Sequence, residues 1–210
     1  GERIAFVRDN NIYVKTLKFG TEYAVTTDGK FNEIINGVPD WVYEEEFSYN
    51  KAYEWSPDSK KLAFVKFDER NVRQFSMPMY KGLAPEMKEN ELYTGYYTFK
   101  YPKAGETNSE VTVYVHDVAV KSNIRVKTGD DTNSYIPRIK WEPSGANLAV
   151  FYLNRRQNEL SVLYANPFSG DTRRIHHEKN NRFIDESFFD FFIYLPDNQH
   201  FVTISEADGW

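Results

Sequence analysis

Three consecutive carboxylates, Glu44, Glu45 and Glu46, are the side chains in this 210-residue chain whose type and spacing best suit chemistry. They stand in the run Pro39-Asp40-Trp41-Val42-Tyr43-Glu44-Glu45-Glu46-Phe47. In a strand, neighbouring side chains point to opposite faces. On a helix successive side chains lie about 100° apart, so two adjacent glutamates can converge on one cation. Asp40 is of a type that caps a helix by accepting from free backbone N–H groups, and no proline or glycine follows before Phe47, so a turn or two of helix is expected. Two readings of the cluster stand side by side. Adjacent glutamates are ordinarily a solvated helix face. Here Trp41, Val42, Tyr43 and Phe47 flank them with bulky apolar groups that would hold them against a scaffold, where a ligand ammonium would relieve their mutual repulsion.

Other chemistries find no support. The chain has no cysteine, which removes disulfides, thiolate nucleophiles and Cys-type zinc sites. It has no G-x-S-x-G elbow, and its four histidines, His116, His176, His177 and His200, follow no metal-ligand spacing. Their positions suit structural or merely exposed roles. No catalytic residue, metal site or cofactor is therefore expected, and the chain by itself is not expected to hydrolyse peptides. With 26 basic and 31 acidic residues the formal charge is −5, which draws the chain to neither nucleic acid nor anionic lipid and favours a cationic ligand. No apolar run approaches the roughly 18 residues of a membrane span, and no N-x-S/T acceptor occurs.

The elements that must carry the glutamates are legible as repeats. Trp55-Ser56-Pro57-Asp58-Ser59-Lys60-Lys61-Leu62-Ala63-Phe64-Val65 and Trp141-Glu142-Pro143-Ser144-Gly145-Ala146-Asn147-Leu148-Ala149-Val150-Phe151 share one register. A weaker copy runs from Tyr194 to Val202, and Gly1 to Val7 reads as the second half of another. Each copy predicts a hairpin: an apolar strand, a tight Pro-containing turn, then a strand of small and β-branched residues. Third strands follow over 11–17, 110–117 and 159–166, and polar fourth strands over 22–27, 123–128 and 172–177. An aromatic content of 17% agrees with strands. Four strands per repeat make a propeller blade.

The expected fold is all-β, a partial β-propeller of four-stranded antiparallel blades, two complete and two partial, with a short helix carrying the acidic cluster. Residues 1–30 form a partial blade, 31–50 an inter-blade link with the acidic helix, 51–130 a blade with an insertion at 68–109, 131–180 a blade, and 181–210 a partial blade. Successive turn prolines at 57, 143 and 196 stand 86 and 53 residues apart. A plain blade takes roughly 40 to 50 residues, so the first interval holds the insertion. In an antiparallel meander the long links around 28–51, 68–109 and 178–187 emerge on one face, where a site is to be sought. A repeat stack without caps exposes apolar blade surface, which suggests a piece of a larger propeller.

The segment Asp40 to Phe47, followed by Trp55-Ser56-Pro57-Asp58 and Leu62-Ala63-Phe64, resembles the double-glutamate segment of the dipeptidyl peptidase IV family of serine peptidases, within the prolyl oligopeptidase group. Tyr101-Pro102-Lys103-Ala104-Gly105 with Asn108, and Ser205-Glu206-Ala207-Asp208-Gly209-Trp210, continue the similarity in order. The resemblance implies an exopeptidase that releases N-terminal dipeptides with proline or alanine second, built as an eight-bladed propeller with an α/β-hydrolase domain that this chain lacks. It implies that Glu45 and Glu46 bind the substrate's free amino group, that Glu44 is structural, and that Phe183, beside Arg182, contacts further substrate residues. The family's arginine beside the glutamates would lie before Gly1. It implies a homodimer through the 68–109 insertion, rich in methionine and aromatic residues, and a periplasmic, cell-surface or secreted location. A non-enzymatic protein-binding propeller and a catalytically inactive homologue are the alternatives.

Overall fold

The computed structural model describes every residue except 130–132, 198, 207 and 210. The blade boundary expected at 130–131, Asn198 of the fourth turn, and Ala207 and Trp210 of the closing passage thus lie outside the described residues. β1 (Arg3–Arg8), β2 (Asn11–Thr16) and β3 (Glu22–Ala24) form a three-stranded antiparallel sheet. In the second sheet β4 (Ile34–Asn36) is followed by the helix α1 (Trp41–Phe47), then β5 (Tyr53–Trp55) and β6 (Lys61–Asp68). The chain leaves as a hairpin of β7 (Gln74–Met79) and β8 (Gly95–Lys100), then returns as β9 (Glu110–Asp117) and β10 (Ser122–Arg125). β11 (Ile139–Trp141), β12 (Leu148–Leu153), β13 (Glu159–Ala165) and β14 (Thr172–Lys179) make a four-stranded meander, and β15 (Ile193–Tyr194) pairs with β16 (Phe201–Val202). These are two complete propeller blades flanked by parts of two others.

The repeated turns are alike in backbone as well as in letters. Ser59 and Gly145 occupy the same position after the proline and both have positive φ, 58° and 75°. Ser56 N–H donates to Lys61 O at 2.9 Å, and Glu142 N–H to Asn147 O at 3.1 Å. The insertion leaves its blade undisturbed: β6 and β9 pair along their whole length, from Lys61 opposite Asp117 to Asp68 opposite Glu110.

One feature differs from the expectation of a plain link over 31–50. Ile34–Asn36 already belongs to the blade, pairing with Asp68, Phe67 and Lys66 of β6, while β5 pairs further along the same edge. The innermost strand is therefore broken in two, and α1 is an excursion from the break. Its neck is closed by Ala52 N–H to Gly37 O at 3.0 Å and Gly37 N–H to Val65 O at 3.0 Å. Gly37 has φ 79°, and a Cβ there would meet Ile12 Cγ1 at 2.7 Å, so only glycine fits. A three-residue strand is too short for alternation to show in a sequence.

The main core lies between the two complete blades, where Val65, Phe67 and Val113 meet Ile139, Leu148, Val150 and Phe151, and α1 adds Val42, Tyr43 and Phe47. A smaller core joins the first sheet to the second through Ile12, Val14, Leu62 and Phe64. Polar bonds reinforce both seams. Trp141 Nε1–H donates to Glu54 O at 3.0 Å. Asn123 gives its amide to Val25 O at 2.9 Å, so its Oδ1 accepts from His116 Nδ1 at 2.7 Å, and His116 Nε2 accepts from the Tyr23 hydroxyl at 3.1 Å. Burial pushes the His116 pKa down, in keeping with this neutral, structural role.

Near the start of α1 two buried carboxyls sense each other's charge. Asp40 and Glu69 are both nearly inaccessible, at 6% and 5% exposure. Burial, then the charge of Asp40, pushes the Glu69 carboxyl up to about 7, with Lys100 opposing. A carboxyl held above its unfolded value keeps its proton in the folded chain while the unfolded chain has lost it. Stability therefore falls as pH rises from about 4.5 to 7, by on the order of 3 kcal/mol. Glu69→Gln should flatten this slope and raise Tm at pH 8 relative to the native protein; equal slopes in melts between pH 5 and 8 would contradict it.

Candidate functional site

The local sequence folds α1 as the capping residue predicts. Asp40 is extended (φ −78°, ψ 179°) and its Oδ1 accepts from Tyr43 N–H at 3.0 Å. Its other oxygen accepts from Ser109 Oγ at 2.6 Å, which ties the helix start to the strand that closes the insertion. Burial pushes the Asp40 carboxyl up while these hydrogen bonds pull it down. At the other end Ser48 turns into the left-handed region (φ 49°) and Tyr49 N–H donates to Tyr43 O at 3.0 Å.

Tyr43 is the central anchor. Its ring lies 4.8 Å from that of Phe67 and 5.3 Å from that of Phe47, and its hydroxyl accepts from Ile136 N–H at 2.9 Å in the next blade. Trp41 lies over Tyr101 at 4.2 Å, which explains the partnership between the helix and the Tyr101-Pro102-Lys103 passage.

With Val42, Tyr43 and Phe47 turned inward, Glu44, Glu45 and Glu46 all face outward and are exposed. Among the described residues no basic side chain lies within ion-pair distance of any of the three. Glu46 lines a cavity of about 490 Å³ with Trp41, Tyr101, Asn108, Tyr135 and two cations, Lys103 and Arg155, neither within ion-pair distance of it. In that cavity Asn108 donates to the Tyr135 hydroxyl at 2.9 Å, and the Arg155 guanidinium stands over the Tyr135 ring at 5.6 Å with Nη2 on Glu106 O at 2.8 Å. Arg155 Nη1 is buried without a protein partner. The arrangement can hold a cation at the glutamates and, beside it, a hydrogen-bond acceptor at Arg155.

Two of the links expected to share a face meet directly, and the third meets the turn after β12. Asn32 donates to Thr98 O at 3.1 Å, joining the 28–34 link to the inserted hairpin, and Ile184 N–H donates to Gln157 O at 2.7 Å, joining the 180–187 link to the turn after β12. Phe183 lies on that last link, half exposed, and is not among the residues lining the Glu46 cavity. His176, His177 and His200 each face a carboxylate: Glu178, which is buried, and Glu159 and Asp197 on the surface. No group of side chains able to hold a metal ion occurs among the described residues. Ser109, which fixes Asp40, and Arg155 escape a reading of letters: one serine in a polar stretch and one member of an Arg-Arg pair carry no spacing signal.

Known proteins resemble the chain along its whole length. The family described as the dipeptidyl peptidase IV (DPP IV) N-terminal region matches residues 1–210. A probable dipeptidyl peptidase 4 of Aspergillus clavatus is 33% identical over all of this chain and 28% of its own length. Dipeptidyl aminopeptidase B of Saccharomyces cerevisiae is 33% identical over 85% of this chain and 22% of its own. The crystal structure of Porphyromonas gingivalis dipeptidyl peptidase 4 superposes with a TM-score of 0.91 at 42% identity, covering all of this chain and 28% of that one. The chain thus spans between 22% and 28% of the length of these relatives. A family match from end to end, with a propeller backbone that follows a solved relative throughout, means that this chain belongs to the family of dipeptidyl peptidase IV N-terminal regions.

Proposed function

We propose that this chain is the substrate-gating propeller part of a serine exopeptidase that releases Xaa-Pro and Xaa-Ala dipeptides from peptide N-termini, with Glu45 and Glu46 clamping the substrate's α-ammonium. The observation that carries the proposal is the pair of outward glutamates on a helix whose every other bulky side chain is anchored, with no basic side chain of the described residues within ion-pair distance of them. The names of the relatives, dipeptidyl peptidases and aminopeptidases, support the substrate class.

At about 4 Å, a carboxylate attracts an ammonium by roughly 1 kcal/mol in open water and roughly 4 kcal/mol at the effective dielectric of a partly enclosed site. Enclosure by a catalytic domain of the same polypeptide would thus strengthen the clamp. Holding the amine at a fixed point sets how far the peptide reaches, so that only its second peptide bond meets the nucleophile. The serine nucleophile and its partners would come from that domain. Phe183, on the same face, is proposed as an outer contact for later substrate residues. A site outside the cytoplasm, in the periplasm, at the cell surface or secreted, goes with this reading. Among the described residues no helix is long and apolar enough to cross a membrane.

The inserted hairpin is proposed as a contact between two copies of the protein. Leu83, Leu92, Tyr93 and Tyr96 on it are between 72% and 99% exposed, a concentration of apolar surface typical of interfaces.

Two tests follow from the clamp and the hairpin. In the full-length protein, Glu45→Ala and Glu46→Ala should each lower kcat/KM for an unblocked Xaa-Pro substrate about a hundredfold or more, with Tm unchanged because both side chains are exposed. Near-native kcat/KM in both variants would overturn the clamp. The double variant Leu83→Ser, Leu92→Ser should shift the protein from dimer to monomer in sedimentation; an unchanged mass would place the contact elsewhere.

A further inference from the structure

Glu46 is exposed, and among the described residues no hydrogen bond or ion pair holds its carboxylate. Its direction is therefore set by the backbone of the last turn of α1 and by what holds that turn. The next residue, Phe47, is only 2% exposed. Its ring lies 5.3 Å from that of Tyr43, within the same helix, and 5.2 Å from that of Tyr135, which enters from the following blade. A further ring, Phe189, stands at 6.3 Å. The Tyr135 backbone is fixed by exchange with Leu153, giving its N–H at 2.7 Å and accepting in return at 2.9 Å.

The Tyr135 side chain is held from the cavity that Glu46 lines. Asn108 donates to its hydroxyl, and the Arg155 guanidinium, from the turn after β12, stands over its ring, 5.6 Å from the centre. Arg155 also donates Nη2 to Glu106 O at 2.8 Å. Glu106 and Asn108 belong to the passage that fixes the other end of the helix, where Tyr101 packs on Trp41 and Ser109 bonds Asp40. Arg155 thus ties a third segment of chain to both supports of α1: the Tyr135 ring behind its last turn and the 101–109 passage at its start.

None of these contacts uses the charge of Glu46. An arginine that aimed the glutamate by pairing with it would neutralise the group that an ammonium needs. Arg155 lies in the same cavity but beyond ion-pair distance of Glu46, and its hold is relayed through two rings. A planar fork suits this task, since it can face a ring and donate to a carbonyl at once, which a lysine ammonium does less well. We infer that Arg155 is a positioning residue of the clamp: through Tyr135 and Phe47 it fixes the last turn of α1 and with it the direction of Glu46. The inference rests on the reading of Glu46 as part of the ammonium clamp.

The test is a double-mutant cycle on kcat/KM for Gly-Pro p-nitroanilide in the full-length protein. A misplacement of about 1 Å can cost about a hundredfold, so the partial loss of support in Arg155→Met should lower kcat/KM about tenfold in the native background. With Glu46→Gln already in place there is no charge left to aim, and the same change should cost less than about twofold further. A role in stability alone, or a direct contact with substrate, would make Arg155→Met cost the same factor in both backgrounds. That result would overturn the inference, as would native kcat/KM in Arg155→Met. Should Arg155→Met fail to fold, the cycle is run with Arg155→Lys, which keeps the charge and loses the fork; a loss of about threefold is then expected in the native background and none beside Glu46→Gln. If Glu46→Gln alone leaves kcat/KM at its native value, the clamp fails and the inference falls with it. A large loss in Glu46→Gln with the same Arg155 factor in both backgrounds would sink the positioning role and leave the clamp standing.

Discussion

A helix of seven residues closes too few internal hydrogen bonds to persist in water by itself, so α1 exists only because its surroundings hold it. The holding is distributed. Asp40 and Ser109 fix the start, the Tyr43 hydroxyl reaches the backbone of the next blade, and the Ala52–Gly37 bond pinches the neck through which the excursion leaves the strand. Tyr43 and Phe47 then bury almost completely against the core shared by two blades. Every statement about the glutamates depends on that seat, because it decides which side of the helix is left to face outward.

The anchors share a property that bears on charge. They are hydrogen bonds to backbone and hydroxyl, ring contacts and apolar burial, and none brings a lysine or arginine within ion-pair distance of Glu44, Glu45 or Glu46. A helix tied down by surface ion pairs would have spent the same carboxylates on internal partners. Elsewhere in the chain that is the common arrangement, as with Glu22 on Arg8, Asp117 on Lys61 and Asp190 on Arg138. Other carboxylates, such as Glu89 and Glu110, also lack an ion pair among the described residues, but the cluster sets three of them side by side on one short helix.

The blades were legible because their signal is repeated. Pro57 and Pro143 sit in identical turns, and the third strands at 110–117 and 159–165 fall where alternation places them. The cap at Asp40 was legible too, since capping is local. The split inner strand was not: Ile34–Asn36 is a strand only because β6 lies beside it, and a three-residue stretch before Gly37 and Pro39 has no period to read. The buried carboxyl pair near the start of α1 was equally hidden. Glu69 and Asp40 are 29 positions apart in the chain and meet only through the fold.

Local rules are broken most where the glutamates stand. A helix dipole favours acidic residues in the first turn and basic ones in the last, and Glu44 meets the first condition. Glu45 and Glu46 fall in the last turn, where no basic residue accompanies them, and each is therefore opposed by the partial negative charge of the free carbonyls. Asp40 and Glu69 on the buried side have the same sign, and burial already resists their ionisation. A sequence selected only to stabilise α1 would place lysines at positions 45 and 46. Keeping carboxylates there costs local stability that the Tyr43 and Phe47 packing must offset, and a cation arriving from outside would relieve it. That conflict between helix and side chain is a physical reason, separate from any likeness of sequence, to read the outward face of α1 as a place for a substrate's ammonium.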